Sequence, residues 1–247
     1  MYLTVQGLVV RVTEYKERDV LLTLLTRDHG RITVKARGVR RRNNPQTAAC
    51  QLLALSEFTL FEYKDYYLVN DAHVIELFQE LREDIRKLAL ATYIAQVVSL
   101  ISQEDAPSRE LQPLALNCLY GLSKLNIAED KVKCVFELRC ACLAGFMPDL
   151  HGCHVCGKAS ADYFDISEGH PECYSCRSEL YGGIRMPVSE GILNAMRYIC
   201  ACDSKRLFSF SLSDDAVASL SKVTEAFLST QLERGFSSLD FYKSLSM

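Results

Sequence analysis

The stretch Val20-Leu21-Leu22-Thr23-Leu24-Leu25-Thr26, then Arg27-Asp28-His29-Gly30, then Arg31-Ile32-Thr33-Val34-Lys35-Ala36 decides how the first third of the chain is read. Two Val-, Leu- and Thr-rich runs flank a polar turn whose Gly30 can take a positive φ, the pattern of a β-hairpin. Working outward, Leu3 to Tyr15 reads as a preceding strand, with Gly7 placed where a strand can bend sharply in a small barrel. A polar loop from Arg37 to Gln46 follows the hairpin. Leu52 to Tyr63 and Tyr66 to Val74 form another strand pair, joined at Lys64-Asp65. Five short strands before residue 80 predict a small closed barrel, because closure leaves no exposed sheet edge.

At about residue 76 the period changes. Leu81, Ile85, Leu88, Tyr93, Val97 and Ile101 recur at near-helical spacing. Pro107 and Ser108 open a second helix that runs to about Leu125. Asp130 to Ala144 makes a third, ended by Gly145 and Pro148. Ser189 and Ser213 cap two more, Glu190 to Cys200 and Asp214 to Leu232. Residues 151 to 186 carry Gly, Cys and polar residues with little periodicity. The expected class is α+β: a β-barrel domain over 1–78, then a helical domain over 79–247 interrupted by a cysteine-bearing insertion at about 151–186.

Composition narrows the function classes. The chain has 247 residues, 49% hydrophobic and 24% charged, which is enough apolar material for a core and no signature of disorder. No apolar run reaches the roughly 18–20 residues of a bilayer span, and Arg11 and Glu14 interrupt any signal-like start. The reading is a soluble cytoplasmic protein, without a membrane partner. Eleven cysteines cannot all pair, and without a signal peptide thiols or metal ligation are favoured over disulfides.

Four of these cysteines have metal-ligand spacing. Cys153-His154-Val155-Cys156-Gly157 is followed, sixteen residues on, by Cys173-Tyr174-Ser175-Cys176. One tight turn presents each C-x-x-C pair to a single ion, and Gly157 suits the bend of such a knuckle. Four thiolates leave no open position, so the expected ion is one structural zinc per chain. A redox C-x-x-C, or His151, His154 or His170 replacing one ligand, are the competing readings. Cys118, Cys134, Cys140, Cys142 and Cys200 fall on expected helices, where free cysteine behaves as a small buried hydrophobe, and with Cys50 and Cys202 near loops all seven are read as structural.

The basic residues are as localised as the cysteines. Arg27, Arg31, Lys35, Arg37, Arg40, Arg41 and Arg42 face only Asp28, a local balance of +6 in a chain of net charge -3. Arg40-Arg41-Arg42-Asn43-Asn44-Pro45 reads as a flexible loop able to follow a phosphate backbone. A merely solvated charged loop is the bland alternative. Phe58, Phe61, Tyr63, Tyr66 and Tyr67 crowd the last two strands. Alternation puts Phe58 with Leu60 on one face and Phe61 with Tyr63 on the other, and whichever set lies outside could stack on bases. No phosphate-binding loop, G-x-G-x-x-G, H-E-x-x-H or G-x-S-x-G is present, and no motif supports an enzyme.

In order and spacing these segments resemble the RecO family of bacterial recombination mediators. The resemblance is carried by Gly7-Leu8-Val9-Val10 with Tyr15 to Leu21, by Thr26 to Ile32 with Lys35 to Arg41, and by Phe136-Glu137-Leu138-Arg139 leading through Gly145 to Leu150 into Cys153-x-x-Cys156-Gly157. It covers most of residues 1–180. It implies an N-terminal OB-fold, a helical domain and a zinc-binding insertion. It also implies binding of single- and double-stranded DNA, annealing of complementary strands and a complex with RecR. Further implied partners are the C-terminal tail of single-stranded-DNA-binding protein (SSB), bound through the helical domain, and RecA indirectly, in repair of gaps and breaks near the bacterial nucleoid.

With the basic stretch, the expected DNA-binding residues are Arg31, Lys35, Arg37, Arg40, Arg41 and Arg42. The readings of other classes are a zinc-stabilised protein–protein adaptor without direct DNA binding, and a thiol oxidoreductase using Cys153 and Cys156.

Overall fold

The structure is a computed structural model that describes residues 1–64, 66–176 and 183–245. Asp65 of the expected Lys64-Asp65 turn and residues 177–182 of the cysteine-bearing insertion lie outside the described residues.

Five strands form the closed barrel: β1 (Tyr2–Tyr15), β2 (Asp19–Thr26), β3 (Arg31–Ala36), β4 (Leu55–Tyr63) and β5 (Tyr66–Glu76), in the order β1-β2-β3-β5-β4. All neighbours are antiparallel except β3 and β5. This is the OB-fold arrangement. Closure depends on the long strand β1, whose first half pairs with β4 and second half with β2. Gly7 sits where the two ladders meet, opposite both Thr26 and Ser56. A Cβ there would lie 3.1 Å from Leu24 Cβ, which is why the bend takes a glycine. Val5, Val9, Leu22, Leu24, Val34, Phe58 and Leu60 fill the interior. Phe58 and Leu60 are therefore the inward pair, and Tyr63 points out.

The helical periodicity resolves into a 3₁₀ turn, Gln79–Arg82, and then α1 (Ile85–Ile101). Asp84 breaks the run by capping α1, its carboxylate accepting the Arg86 and Lys87 amides. Next come α2 (Leu111–Ser123), α3 (Glu129–Leu143), α4 (Glu190–Ala201), α5 (Asp214–Gln231) and α6 (Ser237–Ser244). Ser189 and Ser213 cap α4 and α5 as expected, accepting the Ile192 and Ala216 amides. The insertion holds a small sheet, with β6 (Tyr163–Asp165) flanked by β7 (His170–Glu172) and β8 (Arg185–Pro187).

Two compact units divide the chain, one of residues 1–126 with 236 onward and one of residues 127–235. The helices after residue 78 thus do not all belong to one body. In the first unit Gln112 Nε2 on α2 donates to the Gln6 and Leu25 carbonyls, beside the Gly7 bend. Tyr93 on α1 packs edge-on to Phe236, which leads into α6. In the second unit α3 and α5 are joined by a buried charge cluster. Lys133 Nζ lies 3.0 Å from Glu137 and 2.9 Å from Glu225, and donates to the Ser221 carbonyl at 3.1 Å. Thr224 Oγ1 donates to Glu137.

Candidate metal centre and nucleic-acid interface

The sulfur atoms of Cys153, Cys156, Cys173 and Cys176 all lie within 4.8 Å of one another. Local backbone geometry brings them there. The first knuckle closes on itself, with the Gly157 amide donating to the Cys153 carbonyl at 2.8 Å and the Cys153 amide to the Lys158 carbonyl at 2.7 Å. Gly157, which suits the bend of such a knuckle, takes φ +70, a left-handed conformation that favours glycine. The β6–β7 hairpin then returns the chain, and a 3₁₀ turn, Tyr174–Cys176, carries the fourth cysteine. Arg185 ties the sheet together, its Nε donating to Glu172 at 2.8 Å and Nη2 lying 3.4 Å from Asp165.

The donor set fits a tetrahedral metal. Metal–sulfur bonds of about 2.3 Å in a tetrahedron imply sulfurs about 3.8 Å apart, and Cys156 and Cys173 Sγ are 3.8 Å apart. The Cys173 amide also donates to Cys153 Sγ at 3.3 Å. The Cys153 thiol is drawn down to about 6: burial opposes ionisation, but the amides of Cys173, Cys156 and Val155 outweigh it. Cys176 is pushed up to about 12, chiefly by hydrogen bonds with Cys173 and Cys156. Metal ligation requires thiolates, so an ion held by this cluster would displace these protons. His154 and His170 stack on each other at 4.1 Å, and among the described residues the ligand group closes without any histidine.

The basic residues separate into two sets. Arg31 is turned into the fold, where Nη1 donates to the Ser99 carbonyl at 2.8 Å and Nη2 pairs with Glu104 at 3.2 Å. Lys35 pairs with Asp19 at 3.2 Å and lies over the Tyr15 ring, with only 16% of its side chain exposed. Arg37, Arg40, Arg41 and Arg42 are exposed. Only Arg40 among these four has an ion pair among the described residues, with Glu14 at 2.9 Å.

The loop that bears these four was expected to be flexible, and it is wound instead. Gly38, at φ +65, accepts from the Arg41 amide and from Asn44 Nδ2, and its own amide reaches Asp19. Thr47 Oγ1 donates to the Val39 carbonyl, while Val39, Ala49 and Cys50 plug into the barrel core. Apolar anchors on both sides of Arg40 to Arg42, Val39 before them and Ala49 and Cys50 after, are the physical reason for this order. The Arg40 amide donates to the Arg18 carbonyl at 3.1 Å, which brings the β1–β2 turn alongside. That turn adds exposed Lys16 and Arg18, which the sequence reading passed over. Their signal lay in the strand register, since Val20 opposite Ala36 places the two connections at one end of the barrel. The resulting surface carries six exposed cations against Glu14 and Glu17.

On the outer face of the barrel Tyr2 and Phe61 pack at 5.3 Å, and Tyr63 and Tyr66 meet edge-on at 5.5 Å. Both tyrosines of the second pair are more than 40% exposed.

An OB-fold barrel with an arginine loop, in one chain with a helical unit whose four-cysteine cluster could hold a metal ion, defines a class of two-part proteins. Comparison with known families narrows the class. Residues 1–78 match the profile "Recombination protein O N terminal", and residues 82–240 match "Recombination protein O C terminal". The chain is 34% identical over 246 residues to "DNA repair protein RecO" of Acetivibrio thermocellus, covering 99% of this chain and 97% of that one. It is 27% identical to the protein of that name in Thermoanaerobacter sp., covering 98% of each chain. In Alkaliphilus metalliredigens the identity is 28%, covering 99% of this chain and all of that one. The chain belongs to the RecO family of DNA repair and recombination proteins.

No helix among the described residues is long and apolar enough to cross a membrane.

Proposed function

We propose that this protein is a non-enzymatic recombination mediator. It binds single- and double-stranded DNA and anneals complementary strands. With RecR, it helps load RecA onto SSB-coated single strands in repair of gaps and breaks, in the bacterial cytoplasm at the nucleoid. The observation that carries this reading is the ordered surface of Lys16, Arg18, Arg37, Arg40, Arg41 and Arg42 at one end of an OB-fold barrel. Such cations hold phosphates without reading bases, and an adjoining barrel face with exposed aromatics suits a flexible single strand. The C-terminal tail of SSB is the expected peptide partner of the helices. The metal is zinc, held by Cys153, Cys156, Cys173 and Cys176. Its closed four-thiolate shell leaves no position for substrate, so its contribution is to the fold.

The test is annealing of complementary strands coated with SSB, with and without RecR. The reading expects annealing by the protein alone and its modulation by RecR. Absence of annealing together with absence of salt-dependent DNA binding would favour the adaptor reading instead.

A further inference from the structure

Of the seven cysteines outside the quartet, Cys50, Cys118, Cys134 and Cys140 are buried in helix or barrel packing, and Cys142, Cys200 and Cys202 are only partly covered. Cys142 lies in the last turn of α3 and Cys200 in the last turn of α4. Although 58 positions apart in sequence, their sulfurs are 3.7 Å apart. That is van der Waals contact, about 1.7 Å longer than the disulfide bond that would join them. Arg139, one turn before Cys142, donates through Nη1 to the Cys200 carbonyl at 2.9 Å, which holds the two helix ends together. Cys202 is differently placed, its thiol donating to the Ile199 carbonyl.

From this geometry we propose that Cys142 and Cys200 form a redox modification site, a dithiol that a small-molecule disulfide oxidises to a reversible cross-link between α3 and α4. The Cys142 thiol is the easier of the two to ionise. Its hydrogen bond with Cys200 lowers it first, burial opposes, and Arg139 lowers it further, while Cys200 is held well above the ordinary thiol range by the same bond and by burial. The thiolate is the nucleophile in exchange.

Cys142 thiolate therefore attacks one sulfur of the external disulfide, forming a mixed disulfide and expelling one external thiolate. Cys200 then gives up its proton and attacks Cys142 Sγ, forming the Cys142–Cys200 bond and expelling the second external thiolate. Two protein thiols are oxidised, one external disulfide is reduced to two thiols, and the two protein protons end on the leaving thiolates. The cross-link closes a loop that contains all four metal cysteines, so oxidation staples the root of the metal-bearing insertion. Transient cytosolic disulfides of this kind are the usual redox-sensing type.

The test uses the full-length, zinc-loaded protein exposed to oxidised glutathione, with free thiols blocked, peptides mapped by mass spectrometry, and released zinc followed with a chromogenic chelator. The expected result is a peptide joining Cys142 to Cys200 before any zinc is released, present in C202S and absent in C142S and C200S. In C200S, glutathione should remain trapped on Cys142. The proposal is overturned if no such peptide forms before zinc release, if the cross-link runs through Cys202, or if C200S leaves Cys142 unmodified. Should a serine variant fail to fold, the wild-type peptide map against the zinc-release curve decides alone.

Discussion

The carboxylate of Asp19 accepts the Gly38 amide at 2.9 Å through Oδ1, and through Oδ2 it pairs with Lys35 Nζ at 3.2 Å. An acid at the start of β2 thereby fixes the root of the arginine loop. The Gly38 amide is the main reason the Asp19 carboxyl lies below its ordinary value of 3.8; burial opposes it, and Lys35 and Lys16 add to the lowering. A carboxyl depressed in the folded state contributes stability that is fully present above its unfolded value and is lost as pH falls through the folded one. The tether is therefore intact at neutral pH and released only in acid below about 3.8. In D19A, hydrogen exchange at Gly38 and its neighbours should become faster at neutral pH, while the amides of β4 keep their protection. Equal exchange in both proteins would show that the loop is held by its apolar anchors alone.

Metal removal should act on one unit. Structural zinc sites of this kind contribute about 10–16 kcal/mol of apparent binding energy at neutral pH, comparable with the stability of a whole domain. Plasma emission analysis should return about one zinc per chain, and C153S or C173S should return far less. Hydrogen exchange after chelation should rise sharply over residues 151–176 and stay unchanged in the barrel strands. Iron in place of zinc, or an insertion that keeps its protection without metal, would contradict the assignment.

The Lys133 cluster gives a second stability prediction. Lys133 is 2% exposed and Glu137 is fully buried, so K133A leaves carboxylates without their cation and should cost about 3–5 kcal/mol in denaturant unfolding of the 127–235 unit. K133M, which fills the space, should still destabilise because Glu137 remains. Burial pulls the Lys133 ammonium down, but Glu137 and Glu225 outweigh it and hold it above the ordinary 10.5. For a base raised on folding, stability is full below the unfolded value and is lost as pH rises through the folded one. Wild type should thus lose stability above about pH 10.5 more steeply than K133M.

Much of this was legible because it is local. The alternation in β2 and β3, the serines before α4 and α5, and the paired C-x-x-C spacings each write their structure within a few residues. What escaped was either too short or too distant. Strands β6 to β8 have three residues each and α6 has eight, too few for a period to declare itself. The engagement of Arg31 with Ser99 and Glu104 spans about seventy positions, and nothing near Arg31 announces it. The meeting of Cys142 and Cys200 is hidden from the sequence for the same reason, since it depends on how α3 and α4 pack.

The aromatic face should contribute to single-strand affinity in a way that salt does not touch. If bases stack on Tyr63 and Tyr66, each alanine substitution should weaken single-strand binding by about 1–3 kcal/mol. The dependence on salt should remain that of wild type, because no charge is removed. Fluorescence titrations with an oligonucleotide at several salt concentrations separate the two terms. Unchanged affinity in the Y63A/Y66A protein would assign this face to packing.

The salt dependence of single-strand binding by R37Q/R41Q/R42Q tests the DNA-binding surface most directly. These three side chains are exposed and make no ion pair among the described residues, so their loss should leave the fold unchanged. Each phosphate contact contributes about 0.7 to the slope of log K against log salt for single strands. The slope should become shallower by about 2 in the triple variant, with affinity weakened alike for all sequences. A slope and affinity equal to wild type would contradict the account.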